Sequence, residues 1–275
     1  MTVAGVVGLG AMGGPIARHM IRAGIAVCCY DLDPDRTARH GEAGARAAAS
    51  AGEVAAASSV VFVFVPTDDD VLGVCTADLL PAARPGTVVA ICSSVRPGTC
   101  KAVAAAAPDG VTVLDAALTG GARGAEQGQI NLLVGGDEAA LERIRPLLAP
   151  WTSGIHHLGP LGSGQVAKTV NNLIHWAQIS AITEALRLGE AYGLDVPAVR
   201  AALMDGPTDS RTLRELEQMR LTWWAKDIDN AHRMADQVGM NLQVAPVSRA
   251  VMAATPLDEI RRLLRAEGNT SDKTI

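Results

Sequence analysis

Aromatic side chains are scarce: Phe, Trp and Tyr make up 3% of the 275 residues. A surface for single-stranded nucleic acid needs rings on which bases stack, and a net charge of -5 offers no basic footprint for phosphate backbones. Nucleic acid is therefore excluded as a partner. No apolar run reaches the roughly 20 residues that a membrane helix requires, and the first residues enter a strand without a basic segment or cleavage signature. A soluble cytoplasmic protein with no membrane partner is expected. Cys28, Cys29, Cys75, Cys92 and Cys100 are odd in number, lie in the first half, and lack the paired spacings that hold zinc. Reduced structural thiols and no metal site follow. Hydrophobic residues at 48% and charged ones at 19% fit a compact chain able to form one large domain or two modest ones.

What the first half does contain is alternation. Short β-branched runs at Val3–Val7, Ala26–Tyr30, Val60–Val65, Thr87–Ile91, Val111–Leu114 and Asn131–Val134 are separated by Ala-rich helical segments. Such spacing predicts βαβ units on a parallel sheet. The continuous apolar runs predict strands covered by helices on both faces. After Gly164 strand signals vanish. A long helix is predicted over Val166–Tyr192, ending at Gly193, followed by Pro197–Met204, a broken helical stretch over Ser210–Gly239 interrupted near Trp224, and two short helices flanking Pro256. The fold class is therefore α/β, an N-terminal Rossmann-type doubly wound parallel sheet over residues 1–161 followed by an all-α C-terminal domain over 162–275. Gly268–Ile275 reads as a frayed tail.

Gly8-Leu9-Gly10-Ala11-Met12-Gly13 follows the first strand and opens a helix, the context that makes GxGxxG a dinucleotide fingerprint. Gly8 permits the tight turn, Gly10 lets the backbone approach a pyrophosphate, and Gly13 allows close helix packing. Asp31, with Leu32 after it, ends the second strand where an acidic side chain accepts hydrogen bonds from ribose hydroxyls and repels a 2′-phosphate. NAD is expected rather than NADP. The alternatives are that Asp31 is a strand-end turn or helix cap, and that Arg36 and Arg39 hold a 2′-phosphate instead of being solvated helix residues.

Gly162-Ser163-Gly164-Gln165-Val166-Ala167-Lys168-Thr169-Val170-Asn171-Asn172 brings an amine and two amides to the start of the long helix. Lys168, Asn172 and His175 are four and three residues apart, which puts them on one helical face. An amine beside a hydroxyl takes its proton during oxidation and returns it during reduction. The bland alternative for Lys168 is a solvated lysine at a helix start. Thr119-Gly120-Gly121 after a strand end offers backbone N–H groups and a hydroxyl as an anion cradle, or else a flexible loop. Arg123 is either a partner for a second acidic group on a substrate or a surface arginine. His156 and His157 read as structural. Trp223 and Trp224 are read as packing at the domain junction or covering a pocket mouth.

These blocks resemble the β-hydroxyacid dehydrogenases, the family of 3-hydroxyisobutyrate dehydrogenase, tartronate semialdehyde reductase and the 6-phosphogluconate dehydrogenases. The similarity runs in order through Gly8–Met20, Asp115–Ala125, Gly162–Asn172 and Lys226-Asp227. The resemblance implies that Lys168 is the catalytic acid/base, Asn172 holds substrate, Thr119-Gly120-Gly121 binds its carboxylate, Val65, Pro66 and Ser94 line the nicotinamide side, and Lys226 reaches the cofactor. It also implies a small carboxylate substrate and a homodimer or homotetramer. The chain departs from the family at Ala117, commonly Pro, at Thr119, commonly Ser, and at Ile91, commonly acidic. His175 stands where the 6-phosphogluconate branch has a Glu acid, so it is either a second proton donor near the substrate or a pocket-wall histidine. Imine reductases resemble the same architecture but usually lack the lysine. A catalytically silent nucleotide-binding assembly protein would have a disrupted Lys/Asn pair, and here the pair is intact.

Overall fold

The computed structural model describes residues 2–219 and 221–265, so the tail expected at Gly268–Ile275 lies outside the described residues. Two compact units divide the chain, Met1–Lys168 and Thr169–Ile275. In the first, one eight-stranded sheet comprises β1 (Val3–Val7), β2 (Ala26–Tyr30), β3 (Arg46–Ala47), β4 (Val60–Val63), β5 (Val88–Ile91), β6 (Thr112–Thr119), β7 (Ile130–Gly135) and β8 (Thr152–His157). The helices between them are α1 (Gly13–Arg22), α2 (Pro34–Glu42), α3 (Ala51–Ala57), α4 (Asp68–Val74), α5 (Leu80–Ala82), α6 (Pro97–Ala105), α7 (Gly121–Gln127) and α8 (Glu138–Leu148).

The strand order β3-β2-β1-β4-β5-β6-β7-β8 reverses direction of winding between β1 and β4, the crevice where doubly wound sheets bind dinucleotides. Every residue of β4 and β5 is buried. Alternate side chains feed two cores: Val6 and Phe62 join Ile16, Met20 and Trp151 on one face, whereas Val7, Val61 and Val63 join Val54, Leu79 and Val103 on the other. Phe62 meets Trp151 edge to face, ring centroids 5.7 Å apart. Helix starts are set locally: Asp33 caps α2 ahead of Pro34, Ser50 caps α3, and Thr67 and Asp70 form a capping box on α4.

The sheet is not parallel throughout. β7 runs antiparallel to β6, and β8 then runs parallel to β7. Ten residues join β6 to β7, fewer than a parallel crossover needs, so the chain turns back through the single short helix α7 instead. Ile91, where the family resemblance implies an acid, is fully buried in the second core.

The second unit is helical. α9 (Ser163–Ala191) begins in the first unit and continues into it, followed by α10 (Val196–Met204), α11 (Arg211–Glu215), α12 (Trp224–Gln237), α13 (Val244–Ala253) and α14 (Leu257–Arg265). Trp176, Ile179, Leu216, Ile228, Ala245, Met252 and Ile260 form its core. Among the described residues no helix is long and apolar enough to cross a membrane. All five cysteines are buried and unbridged. Burial pushes Cys29 up to about 11 and Cys75 up to about 12, so these groups stay thiols at neutral pH.

Candidate active site

The turn after β1 can be made only with glycine. Gly8 has φ +92°, and a Cβ there would sit 2.4 Å from the Phe64 carbonyl oxygen; a Cβ on Gly13 would sit 2.0 Å from the Gly8 carbonyl oxygen. α1 consequently starts hard against the sheet, with Leu9 buried and Met12 packed on the core. Gly10 differs, since a Cβ would meet nothing nearer than Arg36 Nη1 at 3.7 Å. Its backbone borders a cavity of about 520 Å³ whose walls include Leu9, Ala11, Arg18, Arg36 and Arg39. An uncovered backbone at a helix N-terminus beside a cavity of this size fits the pyrophosphate and ribose of a dinucleotide.

Asp31 is already engaged with that turn. Its Oδ2 accepts the Leu9 N–H at 2.6 Å and its Oδ1 the Asp33 N–H at 2.9 Å, while its own N–H donates to Thr37 Oγ1 at 2.9 Å. Arg36 stands 3.6 Å from Asp31 and 3.2 Å from Asp33. The carboxylate therefore ties the glycine loop to the end of β2 and draws the nearest guanidinium toward itself. Leu32 beside it is 89% exposed.

The loops after β4 and β5 are joined by a residue that the sequence reading passed over. Ser93 Oγ accepts the Val65 N–H at 2.9 Å and donates to the Val63 carbonyl at 3.3 Å. Its neighbour Ser94 is partly buried and Pro66 is exposed. Asp68, in the first turn of α4, accepts the Arg96 N–H at 3.0 Å and Arg96 Nε at 3.2 Å, together with the Thr99 hydroxyl. Burial alone would push the Asp68 carboxyl up, but the bonds from Thr99 and Arg96 outweigh it and hold the group below the ordinary carboxylate range. The folded-state value lies below the unfolded one, so this stabilisation is present above about pH 4 and is lost as pH falls through the folded value. Asp68→Asn is accordingly expected to lower Tm by a few degrees near neutral pH. The difference from the unsubstituted protein should narrow as pH falls below about 4 in thermal melts; a gap that stays constant would mean the charge is irrelevant.

α9 is held at its start by the sheet. Asp115, buried on β6, accepts the Gly162 N–H on Oδ1 at 2.6 Å and the Gln165 N–H on Oδ2 at 2.8 Å. Lys168 follows within the same turn region and is partly buried. Thr119 ends β6 with its hydroxyl paired to Asn131, donating to the carbonyl at 3.2 Å and accepting from Nδ2 at 3.3 Å. Gly120 and Gly121 both have positive φ, which leads the chain sharply into α7. His156 bonds Asn131 Oδ1 and His157 bonds the Gly136 carbonyl, and both act as sheet-edge fasteners. Among the described residues no three His, Cys, Asp or Glu side chains gather as a metal ion would need.

In the helical unit, Asn171 donates from Nδ2 to Asn172 Oδ1 at 3.1 Å. His175 Nδ1 lies 3.1 Å from Thr212 Oγ1, and its ring leans on Trp176 with centroids 5.0 Å apart. Lys226 Nζ lies 5.9 Å above the Trp223 ring, and Asp227 accepts the Trp176 indole N–H at 3.0 Å. Trp224 stacks with Arg249, whereas Trp223 is 60% exposed.

A doubly wound sheet with a glycine turn at its switch point, an acidic residue closing β2 and a helical second unit defines an NAD(P)-binding protein. A family model described as the NAD binding domain of 6-phosphogluconate dehydrogenase matches residues 3–159, and one described as NAD-binding of NADP-dependent 3-hydroxyisobutyrate dehydrogenase matches residues 162–261. The chain belongs to the β-hydroxyacid dehydrogenase family, that of 3-hydroxyisobutyrate dehydrogenase. It is similar to 2-(hydroxymethyl)glutarate dehydrogenase of Eubacterium barkeri, 38% identical over 69% of this chain, and to NAD-dependent L-serine dehydrogenase of Pseudomonas aeruginosa, also 38% identical over 69% of this chain. Each of these matches spans 64% of the relative's length. The solved structure of Mycobacterium tuberculosis 3-hydroxyisobutyrate dehydrogenase with L-serine superposes with a TM-score of 0.86 at 27% identity, covering 97% of this chain and 100% of that one.

Proposed function

We propose that this protein is an NAD-dependent dehydrogenase that oxidises a small β-hydroxyacid resembling 3-hydroxyisobutyrate or reduces the matching semialdehyde. Residues 1–161 form the NAD domain and 162–275 the substrate and dimerisation domain of a homodimer or homotetramer. The observation carrying this reading is that Gln165, in the helix start leading to Lys168, donates to the Ser93 carbonyl within the compact unit Met1–Lys168, and that the glycine turn and the Val65 and Ser93 loops follow the carboxyl ends of its parallel strands β1, β4 and β5. Ligands of doubly wound sheets lie there.

Gly8, Gly10 and Gly13 would hold the pyrophosphate and Asp31 the adenosine ribose, with Val65, Pro66 and Ser94 flanking the nicotinamide and Lys226 reaching the cofactor. When bound, the nicotinamide supplies a carbon that carries hydride. The Lys168 amine takes the hydroxyl proton in oxidation, and its ammonium returns it to the carbonyl oxygen in reduction. Thr119-Gly120-Gly121 binds the carboxylate, while Asn172 and His175 hold the rest of the substrate. The relatives' names support small acids of this kind, L-serine and 2-(hydroxymethyl)glutarate among them. The negative charge at Asp31 supports NAD.

The test is a panel of 3-hydroxyacids and cyclic imines with NAD and NADP, followed at the absorbance of the reduced nicotinamide. The expected result is NAD reduction by at least one 3-hydroxyacid and no turnover of imines. Imine reduction without hydroxyacid oxidation would reverse the assignment, and binding of NAD without turnover of either class would favour the assembly role.

A further inference from the structure

Gly162 and Gly164 flank the start of α9: Gly162 has φ +101°, and Gly164 packs against the buried carboxylate of Asp115. On Gly164 a Cβ would lie 2.2 Å from the Leu133 carbonyl oxygen and 2.8 Å from Asp115 Oδ2. On Gly135, which pairs with Asp115 across the antiparallel ladder, it would lie 2.4 Å from Asp115 Oδ1. Glycines on both sides thus leave a slot filled by one carboxylate, which accepts N–H groups from the first turn of α9. Burial pushes that carboxyl above its ordinary range, and the N–H groups of Gly162, Gln165 and Gly164 draw it part of the way back.

Gln165 makes the second tie. It is 1% exposed, and its side chain reaches the loop after β5 twice: Oε1 accepts the Val95 N–H at 3.2 Å and Nε2 donates to the Ser93 carbonyl at 2.8 Å. Ser93 in turn holds the Val65 N–H through its hydroxyl. A continuous run of hydrogen bonds therefore links the first turn of α9 to both loops assigned to the nicotinamide side. Lys168 is three residues beyond Gln165, on the neighbouring turn of the same face.

We infer that Asp115 and Gln165 are positioning residues for Lys168, fixing where its amine stands relative to the loops at Val65 and Ser94. An apolar core would close this junction as well as a buried carboxylate and a buried amide do, and without their desolvation cost. What the polar pair adds is direction, because each bond is satisfied in one register of α9 only. A shift of about 1 Å in a reacting group costs on the order of 100-fold in rate, so the register matters even where the fold survives its loss. The inference rests on Lys168 being the acid/base.

The experiment compares Gln165→Met and Asp115→Asn in the full chain, each with Lys168 present and in a Lys168→Ala background, reading kcat, KM for NAD, NAD affinity by calorimetry, and Tm. With Lys168 present, kcat is expected to fall on the order of 100-fold with KM for NAD and NAD affinity unchanged. With Lys168 removed, the same substitutions should cost nothing further, since they act through the amine. If Gln165→Met fails to fold, Asp115→Asn, which keeps the shape of the side chain, supplies the same readouts. A lowered Tm with kcat intact, or an equal rate loss in both backgrounds, would overturn the positioning role. Full activity of Lys168→Ala alone would instead overturn the assignment of Lys168.

Discussion

Lys168→Ala is expected to lower kcat by about 100- to 10,000-fold, the range that a positioned proton donor contributes, while NAD binding stays unchanged. The separation follows from the layout of the first unit. The glycine turn and Asp31 are built from β1, α1 and β2, and Asp31 bonds Leu9, Asp33 and Thr37, whereas Lys168 lies on α9. Small primary amines added to the buffer should restore part of the lost rate, because they can occupy the space of the missing side chain and carry the same proton. Calorimetry of NAD binding and steady-state rates with and without added amine check both halves. An alanine variant retaining a tenth or more of the rate would show that another group handles the proton.

The second large effect is expected at Asp31. Asp31→Ser removes the anion that would accept the ribose hydroxyls and that now draws Arg36 toward it at 3.6 Å. Charge-assisted hydrogen bonds are worth about 1.5–3 kcal/mol, so kcat/KM with NAD should fall roughly 10- to 100-fold. Use of NADP should rise at the same time, because Arg18, Arg36 and Arg39 all border the cavity at Gly10 and no carboxylate at position 31 would repel the 2′-phosphate. Adding Arg36→Ala to the same chain should abolish the gain with NADP but not restore NAD. If the unsubstituted protein already prefers NADP, or if the ratio does not move, Asp31 does not select the cofactor.

The sheet was legible in the sequence where burial is complete. β4 and β5 are apolar at every position because helices cover both faces, and such runs announce themselves. β8, Thr-Ser-Gly-Ile-His-His, is an edge strand with much of its surface exposed, so it carries no apolar run to find. β3 has two residues, both exposed, and exists only because Arg46 and Ala47 pair with Cys28 and Cys29. The reversal of β7 was legible in principle from the short link after Thr119, since chain length alone forbids a crossover there.

The site divides the same way. The glycine turn is local, with six residues that encode their own geometry, and it could be read at once. Asp115, Ser93 and Gln165 act through partners 28 to 72 residues away in the chain, and nothing in a local pattern marks such pairs. Ser94 drew notice through the family resemblance, while the bonds that join the two loops belong to its neighbour Ser93. Gln165 lay inside the conspicuous Gly162–Asn172 block, yet its role depends on the Val95 and Ser93 backbone that only the folded sheet brings beside it.

Hydride transfer itself is the central claim, and isotope tracing tests it most directly. A 3-hydroxyacid that supports turnover, deuterated on its hydroxyl-bearing carbon, is incubated with the protein and NAD, and the reduced cofactor is examined by mass spectrometry. One deuterium per reduced nicotinamide is the predicted result. Deuterium appearing in water instead, with none on the cofactor, would contradict it.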